Sequence, residues 1–545
     1  MLLLSRIVER ILELPPALTR DVRVTRDLRA PLDDGVELLA DLYQPRHVPN
    51  APTVLIRSPY GRRGWVGFLT ARPLAERGYQ VLVQSCRGTG GSGGDLDPFG
   101  QERADGLATL DWVERQAWFH GDLLTFGPSY LGYVQWAMAP EAGDRITAMS
   151  AMVTASQFRD QTYMGDTYTL RGTLSWSALM VGQEQNRLLA QVRDAVGNRR
   201  VLAAMDHLPL GEADLMATGR RVEWFQQWLG CSEPDHPYWV SERDHRARVP
   251  EVTAPVTMIA GWYDLFLDDQ LADYTALRAA GRNPYLTVGP WSHTDPKAFG
   301  AAIRDALEWF PAQVSGDTSG LREQPVRLFV QGAQEWRDYP EWPPPGTVET
   351  AWYLHPGGAL TAGEPAESNP DRFRYDPSDP TPGIGGPLLG PGAGRKDNAA
   401  LEARPDVLVY TGDALSEPLE IIGPVSARVH LRSSLDHTDV FVRLCDVDAR
   451  GRSWNVCDGI QRVTPERFPA GSDGVRQVEV RLWPTAYRFR PGHRLRIQVS
   501  SGSHPRFARN PGTGEPLATA IRLVAAEQEI LHDPEHPSAI ILPVA

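Results

Sequence analysis

The stretch Leu123-Leu124-Thr125-Phe126-Gly127-Pro128-Ser129-Tyr130-Leu131-Gly132 decides how the rest of the chain is read. Its first four residues form a short run of strand type, and from Leu131 onward the pattern is helical. Ser129 stands at the abrupt junction. A strand-to-helix elbow forces its central residue into a strained backbone, and small neighbours such as Gly127 and Gly132 permit the close approach it needs. The elbow also puts a hydroxyl at a helix N-terminus, where backbone N–H groups stabilise a developing oxyanion. One position departs from the usual Gly-x-Ser-x-Gly spacing: Leu131 occupies the place of the second glycine, which comes one residue later.

Outward from the elbow the pattern alternates. Residues 53–56, 80–83, 123–126 and 146–153 read as strands; 67–77, 100–118 and 131–139 read as helical, with Pro73 as a kink or a true helix start. Ahead of them, residues 22–24 and 36–43 flank the turn Asp33-Asp34-Gly35. Strands alternating with helices predict a parallel sheet covered on both faces. The rhythm breaks after about residue 156. Residues 157–247 are helical in pattern and carry Trp176, Trp224 and Trp228, and then strands return at 256–259 and 285–288. Beyond about 325, runs including Val326–Val330, 427–431, 440–444 and 478–482 alternate apolar and polar, the pattern of an antiparallel sandwich. The expected fold class is therefore α/β: an α/β-hydrolase domain with a helical cap insertion, followed by a C-terminal all-β antiparallel sandwich. The expected division is 1–156 and 248–322 for the hydrolase domain, 157–247 for the cap and 323–545 for the sandwich.

A serine nucleophile needs a histidine base and an acid, which in this fold follow in the order Ser, acid, His. Strand 256–259 runs into Gly261-Trp262-Tyr263-Asp264, and strand 285–288 into Gly289-Pro290-Trp291-Ser292-His293. Both candidates fall just past a strand's C-terminal end, where α/β sheets bind ligands. Of thirteen histidines, His293 alone has that placement after Ser129 within the α/β part. Asp268 and Asp269 compete with Asp264 but lie further on, on a helical pattern. The expected catalytic set is Ser129, Asp264 and His293. Gly88-Thr89-Gly90-Gly91-Ser92-Gly93 matches a dinucleotide fingerprint, yet loop-type residues follow where a helix must open, so nucleotide binding is not expected. No HExxH, CxxC or EF-hand pattern occurs, and neither a metal nor a cofactor is expected.

Composition narrows the partners. With 545 residues, 42% apolar and 23% charged, the chain is globular and large enough for several folding units. A net charge of −13 disfavours nucleic acid. Cys86, Cys231, Cys445 and Cys457 are too few for a disulfide framework. Cys445 and Cys457 fall on strands that could be adjacent, which leaves a pairing open. The reading adopted is four free thiols in a reducing, cytoplasmic setting. Near the N-terminus, Leu3, Leu4, Ile7, Val8, Ile11 and Leu12 recur at helical spacing until Pro15-Pro16. This helix is expected to dock on the body of the protein, with a membrane-surface or homodimer role as the lesser alternative. No stretch is long and apolar enough to span a bilayer.

Taken together, these motifs resemble the cocaine esterase–like acyl hydrolases, which share their architecture with X-Pro dipeptidyl peptidases and α-amino acid ester hydrolases. The resemblance rests on Arg57-Ser58-Pro59-Tyr60, Arg87-Gly88, Gln116-Ala117-Trp118, Gly127-Pro128-Ser129-Tyr130-Leu131-Gly132, Gly261-Trp262-Tyr263-Asp264 and Gly289-Pro290-Trp291-Ser292-His293. In the sandwich it rests on Thr438-Asp439, Val442-Arg443-Leu444, Pro505-Arg506-Phe507 and Arg509-Asn510-Pro511. It accounts for Leu131, since that family uses Gly-x-Ser-Tyr-x-Gly. It implies a three-part body of hydrolase domain, helical cap and C-terminal jelly roll, and it implies that the Tyr60 hydroxyl and the Tyr130 backbone N–H form the oxyanion hole. Cys86 departs from it, because an Asp is expected before Arg87-Gly88. The α-amino acid ester hydrolases carry carboxylates two and three residues after the catalytic Asp to hold an ammonium. Here Phe266 and Leu267 stand there, so an uncharged acyl group is favoured. Trp176 on the cap is read as facing Phe266, a pair suited to an aromatic or bulky acyl moiety. The expected function is a serine carboxylic ester hydrolase acting on a small-molecule ester or amide. The alternatives are an X-Pro dipeptidyl peptidase, an α-amino acyl hydrolase, or a non-catalytic carbohydrate- or surface-binding protein.

Overall fold

The computed structural model describes residues 2–183 and 199–545. The chain divides into two compact units. The first comprises Met1–Arg159, Pro234–Arg327 and Asp338–Pro340; the second comprises Asp160–Glu233, Leu328–Arg337 and Glu341–Ala545.

In the first unit the strands are β1 (Val22–Pro31), β2 (Glu37–Pro45), β3 (Thr53–Ser58), β4 (Gln80–Ser85), β5 (Leu123–Pro128), β6 (Ala148–Met152), β7 (Val256–Tyr263) and β8 (Tyr285–Ser292). They lie side by side in the order β1-β2-β4-β3-β5-β6-β7-β8. The β1–β2 and β2–β4 pairs are antiparallel, and β4 through β8 are parallel. Every residue of β3 to β7 is buried, because helices cover both faces of the sheet. The chain leaves β4 on one side of β3 and re-enters as β5 on the other. The crevice at such a reversal of strand order is where α/β sheets place ligands. The helical stretch near residue 70 is a π-turn at Gly67–Ala71 running into an α-helical turn at Arg72–Ala75. Pro73 stands where the π-turn hands over to the α-helical turn. One strand differs from the sequence reading. The Leu286 N–H donates to Pro325 O at 2.9 Å, so the strand beginning at Val326 runs beside β8, extending this sheet and not the sandwich.

The N-terminal helix Leu2–Ile11 docks on the body of its unit, as expected, through only part of its apolar stripe. Val8 and Leu12 are buried, but Leu3 and Ile11 are 74% and 61% exposed, and Leu4 and Ile7 face out with them. Polar contacts also tie it to the body. Ser5 Oγ donates to Glu76 Oε1 at 2.7 Å, Glu9 pairs with Arg20 and Arg77, and Arg304 Nη1 donates to Leu12 O at 2.6 Å. Among the described residues no helix is long and apolar enough to cross a membrane.

The second unit is built on antiparallel strands. The longest pair, Leu419–Ser433 with Arg476–Phe489, runs in register from Leu419↔Phe489 to Leu431↔Arg476 around a bulge. Arg476–Phe489 alternates buried and exposed over its first half, as a strand with one solvent face does. Thr438–Val447 is buried at every position. The helical segment Asp160–Glu233 belongs to this unit. The Arg462 N–H on strand Ser453–Val463 donates to Gly165 O at 2.7 Å, and Trp176 packs against Trp224 and Trp228 with ring centroids 6.3 and 5.6 Å away. Cys445 and Cys457 lie on paired strands, and both are free thiols.

The sandwich motifs have a structural purpose. Asp458 is fully buried between two guanidiniums, Arg443 Nη2 at 2.8 Å and Arg506 Nη1. Arg443 also donates to Asn398 Oδ1 at 2.6 Å. Removing one partner of such a cluster strands buried charge. Asp458→Asn is expected to destabilise this unit by about 3–5 kcal/mol, to be read from urea unfolding. A loss under about 1 kcal/mol would show that the cluster is solvated.

Candidate active site

Ser129 caps β5 and heads helix Tyr130–Ala142 with φ 56° and ψ −126°. A non-glycine residue in that region costs about 1–3 kcal/mol unless its surroundings hold it there. They do: the Ser129 N–H donates to Met152 O at 2.9 Å, and Ser129 O accepts from Thr154 Oγ1 at 2.8 Å and from the N–H groups of Gly132 and Tyr133. The displaced glycine has a steric reason. A Cβ on Gly132 would lie 2.6 Å from Thr154 Cβ, whereas position 131 carries a fully buried leucine. The tight approach is set by Thr154, two residues past β6, and it falls three positions after the serine.

Asp264 and His293 each follow the last residue of adjacent parallel strands, β7 and β8, which pair Gly289↔Gly261 and Ser292↔Tyr263. His293 Nδ1 lies 2.6 Å from Asp264 Oδ2, and its Nε2 lies 3.0 Å from Ser129 Oγ. Asp264 is fully buried, and its Oδ1 accepts from the Phe266 N–H at 2.8 Å, which fixes the carboxylate. A carboxylate on Nδ1 holds the proton there and leaves Nε2 as an acceptor toward the serine. The competitors Asp268 and Asp269 lie in the first turn of helix Leu267–Ala279. Phe266 packs on the imidazole, ring centroids 5.5 Å apart. Trp176, on helix Leu170–Gln183 of the other unit, packs against Trp224 and Trp228.

Tyr130 has two separable parts. Its backbone N–H sits at the first helical position after the serine, outside the i→i−4 ladder of its helix. Its side chain is buried: the hydroxyl donates to Glu102 Oε1 at 2.8 Å and accepts from the Phe99 N–H at 2.9 Å. Burial, with Glu102 beside it, pushes the phenol well above its ordinary range. Arg57, itself buried, pairs with Glu102 Oε2 at 2.9 Å and donates to Gln84 Oε1 at 3.0 Å. Sequence reasoning missed Glu102, which lies in the first turn of helix Glu102–Glu114 and looks there like an ordinary solvent-facing acid. The same network explains Cys86. Burial raises its thiol well above the normal range, and Glu102 adds to the rise. An Asp at that position would set a second carboxylate against Glu102.

Tyr60 lies two residues past β3, whose parallel register with β5 (Thr53↔Leu123, Leu55↔Thr125) sets it at the level of the elbow. It is partly exposed, its N–H donates to Ser58 Oγ at 3.1 Å, and its ring lies 5.7 Å from Trp65. The Gly88–Gly93 segment closes on itself through Gly88 N–H to Gly93 O at 2.9 Å and opens no helix. Among the described residues no cluster of three or more His, Cys, Asp or Glu could hold a metal ion.

A doubly covered parallel sheet with a serine elbow, and an acid and a histidine at its strand ends, defines an α/β-hydrolase, here joined to an all-β C-terminal part. Residues 34–295 match the model of the X-Pro dipeptidyl-peptidase (S15) family, and residues 319–541 match the X-Pro dipeptidyl-peptidase C-terminal non-catalytic domain. The chain is 33% identical to cocaine esterase of Rhodococcus sp. (strain MB1 Bresler), over 96% of this chain and 98% of that protein. It belongs to the cocaine esterase and X-Pro dipeptidyl-peptidase family of hydrolases. The fold is shared with an α-amino acid ester hydrolase (TM-score 0.82, 20% identity, 98% of each chain) and an aminopeptidase from a marine sediment Thaumarchaeota archaeon (TM-score 0.81, 21% identity, 97% of each chain).

Proposed function

We propose that the protein is a serine carboxylic ester hydrolase that works through an acyl-enzyme on Ser129. The observation that carries this reading is one imidazole, His293, within hydrogen-bond reach of both Ser129 Oγ and the buried Asp264. Ser129 Oγ attacks the ester carbonyl carbon while its proton passes to His293 Nε2. The tetrahedral oxyanion is met by the Tyr130 N–H and the Tyr60 hydroxyl. Collapse breaks the ester C–O bond, and the leaving alkoxide takes the proton from His293. Water, deprotonated by the same nitrogen, then releases the acid and frees the serine.

An uncharged acyl group fits best. The positions two and three residues past Asp264 are Phe266 and Leu267, both buried and apolar, and Phe266 lies against the imidazole. An ammonium would find no carboxylate at either position. The family model's own description favours one further reading, dipeptide release after proline. Fluorophosphonate labelling followed by peptide mapping tests the nucleophile: an adduct on Ser129 is expected, and labelling elsewhere overturns the assignment. Turnover of p-nitrophenyl acyl esters against X-Pro anilides separates the two substrate classes. Tyr60→Phe is expected to lower kcat by about 10²–10³-fold with little change in KM, since the donor acts only once the oxyanion forms. A proportional rise in KM alone would assign Tyr60 to ground-state binding.

A further inference from the structure

The β-sandwich unit carries a cleft of about 480 Å3 whose walls include Arg395, Arg450, Arg452, Arg490, Trp454 and His493. In a chain of net charge −13, this lining sets four guanidiniums against two carboxylates, Asp446 and Asp448. Both carboxylates are committed to the walls. Asp448 Oδ2 accepts from Arg452 Nε at 2.8 Å and Trp454 Nε1 at 3.2 Å, and buried Asp446 accepts from the Tyr487 hydroxyl at 2.7 Å and His493 Nδ1 at 2.8 Å. Among the described residues the Arg395 and Arg450 side chains meet no carboxylate, and Arg490 donates to the Gly332 carbonyl. The positive surplus is therefore directed at the cleft and not neutralised within the fold.

The walls are also ordered. The Arg395 and Arg452 guanidiniums lie 4.5 and 5.1 Å from the Trp454 ring centroid, within cation–π reach of the indole. Asp446 holds the His493 ring through Nδ1. Planar guanidiniums match the oxygens of phosphate and carboxylate groups two at a time, and a volume of this size suits a small molecule. We infer that this cleft is a binding site for a small oxyanion, a phosphate ester or a carboxylate, separate from the serine site.

Isothermal titration of the full-length protein with inorganic pyrophosphate, citrate and the neutral sugar trehalose tests this. Saturable binding of one or both anions, and none of trehalose, is expected. Pyrophosphate alone would identify a phosphate ligand and citrate alone a carboxylate. The double variant R395A/R450A, both of whose sites are exposed, should weaken that binding by about tenfold or more. Its melting temperature and p-nitrophenyl ester turnover should stay unchanged. Absence of saturable binding to either anion, equal binding of trehalose, or undiminished affinity in the folded double variant would each overturn the inference.

Discussion

Replacing Ser129 with alanine is expected to lower kcat on a p-nitrophenyl acyl ester by about 10⁴–10⁶-fold. The hydroxyl is the atom proposed to form the acyl bond, and the 3.0 Å contact with His293 Nε2 is its route for losing a proton. The backbone contacts of the elbow do not involve the side chain: Ser129 N to Met152 O, and Thr154 Oγ1 to Ser129 O, both survive in the variant. The melting temperature should therefore stay near that of the parent protein. Residual turnover is expected to reflect the oxyanion donors and substrate binding alone. Near-normal turnover in S129A would place the chemistry on another residue and remove the basis of the proposed mechanism.

Asp264→Asn is expected to cost about 10⁴-fold in kcat while leaving the site's shape intact. The carboxylate oxygen 2.6 Å from His293 Nδ1 requires a proton on that nitrogen. An amide can turn its N–H₂ toward Nδ1 instead, and the ring proton then moves to Nε2. An Nε2–H cannot accept from Ser129 Oγ, so the base is lost with every heavy atom close to where it began. Asp268→Asn is the matched control. It removes a first-turn carboxylate worth about 0.3–1 kcal/mol of helix-dipole stabilisation, and turnover should change little. Steady-state kinetics on the two variants decide between the acids, since a larger loss in D268N would reassign the role.

The parts of the site that follow from strand ends are legible in the sequence alone. An elbow serine, and an acid and a histidine just past two strands, depend on local pattern and on the rule that parallel strands open their crevice at their C-terminal ends. Glu102 is invisible there because its burial comes from packing under Tyr130 and beside Arg57, and nothing in its helix marks that face. The N-terminal helix docks as its pattern suggests, but which residues of the stripe are covered was not legible. Periodicity identifies an apolar stripe but not which edge of it meets a neighbour, and here a buried Ser5–Glu76 contact turns the helix so that Leu3 and Ile11 face out.

By itself, then, the sequence determined the α/β sheet, the sandwich after it, and Ser129, Asp264 and His293 as the candidate set in that order, because these rest on short-range periodicity and on residues whose chemistry has few substitutes. Tertiary structure alone decided that Gly132, not position 131, must be bare, since the obstacle is Thr154, which follows the neighbouring strand β6. It likewise gathered Arg395, Arg450, Arg452, Arg490 and His493, scattered over about a hundred residues, into one cationic cleft. Contacts between residues far apart in the chain leave no period in the sequence, and only the folded register brings them together.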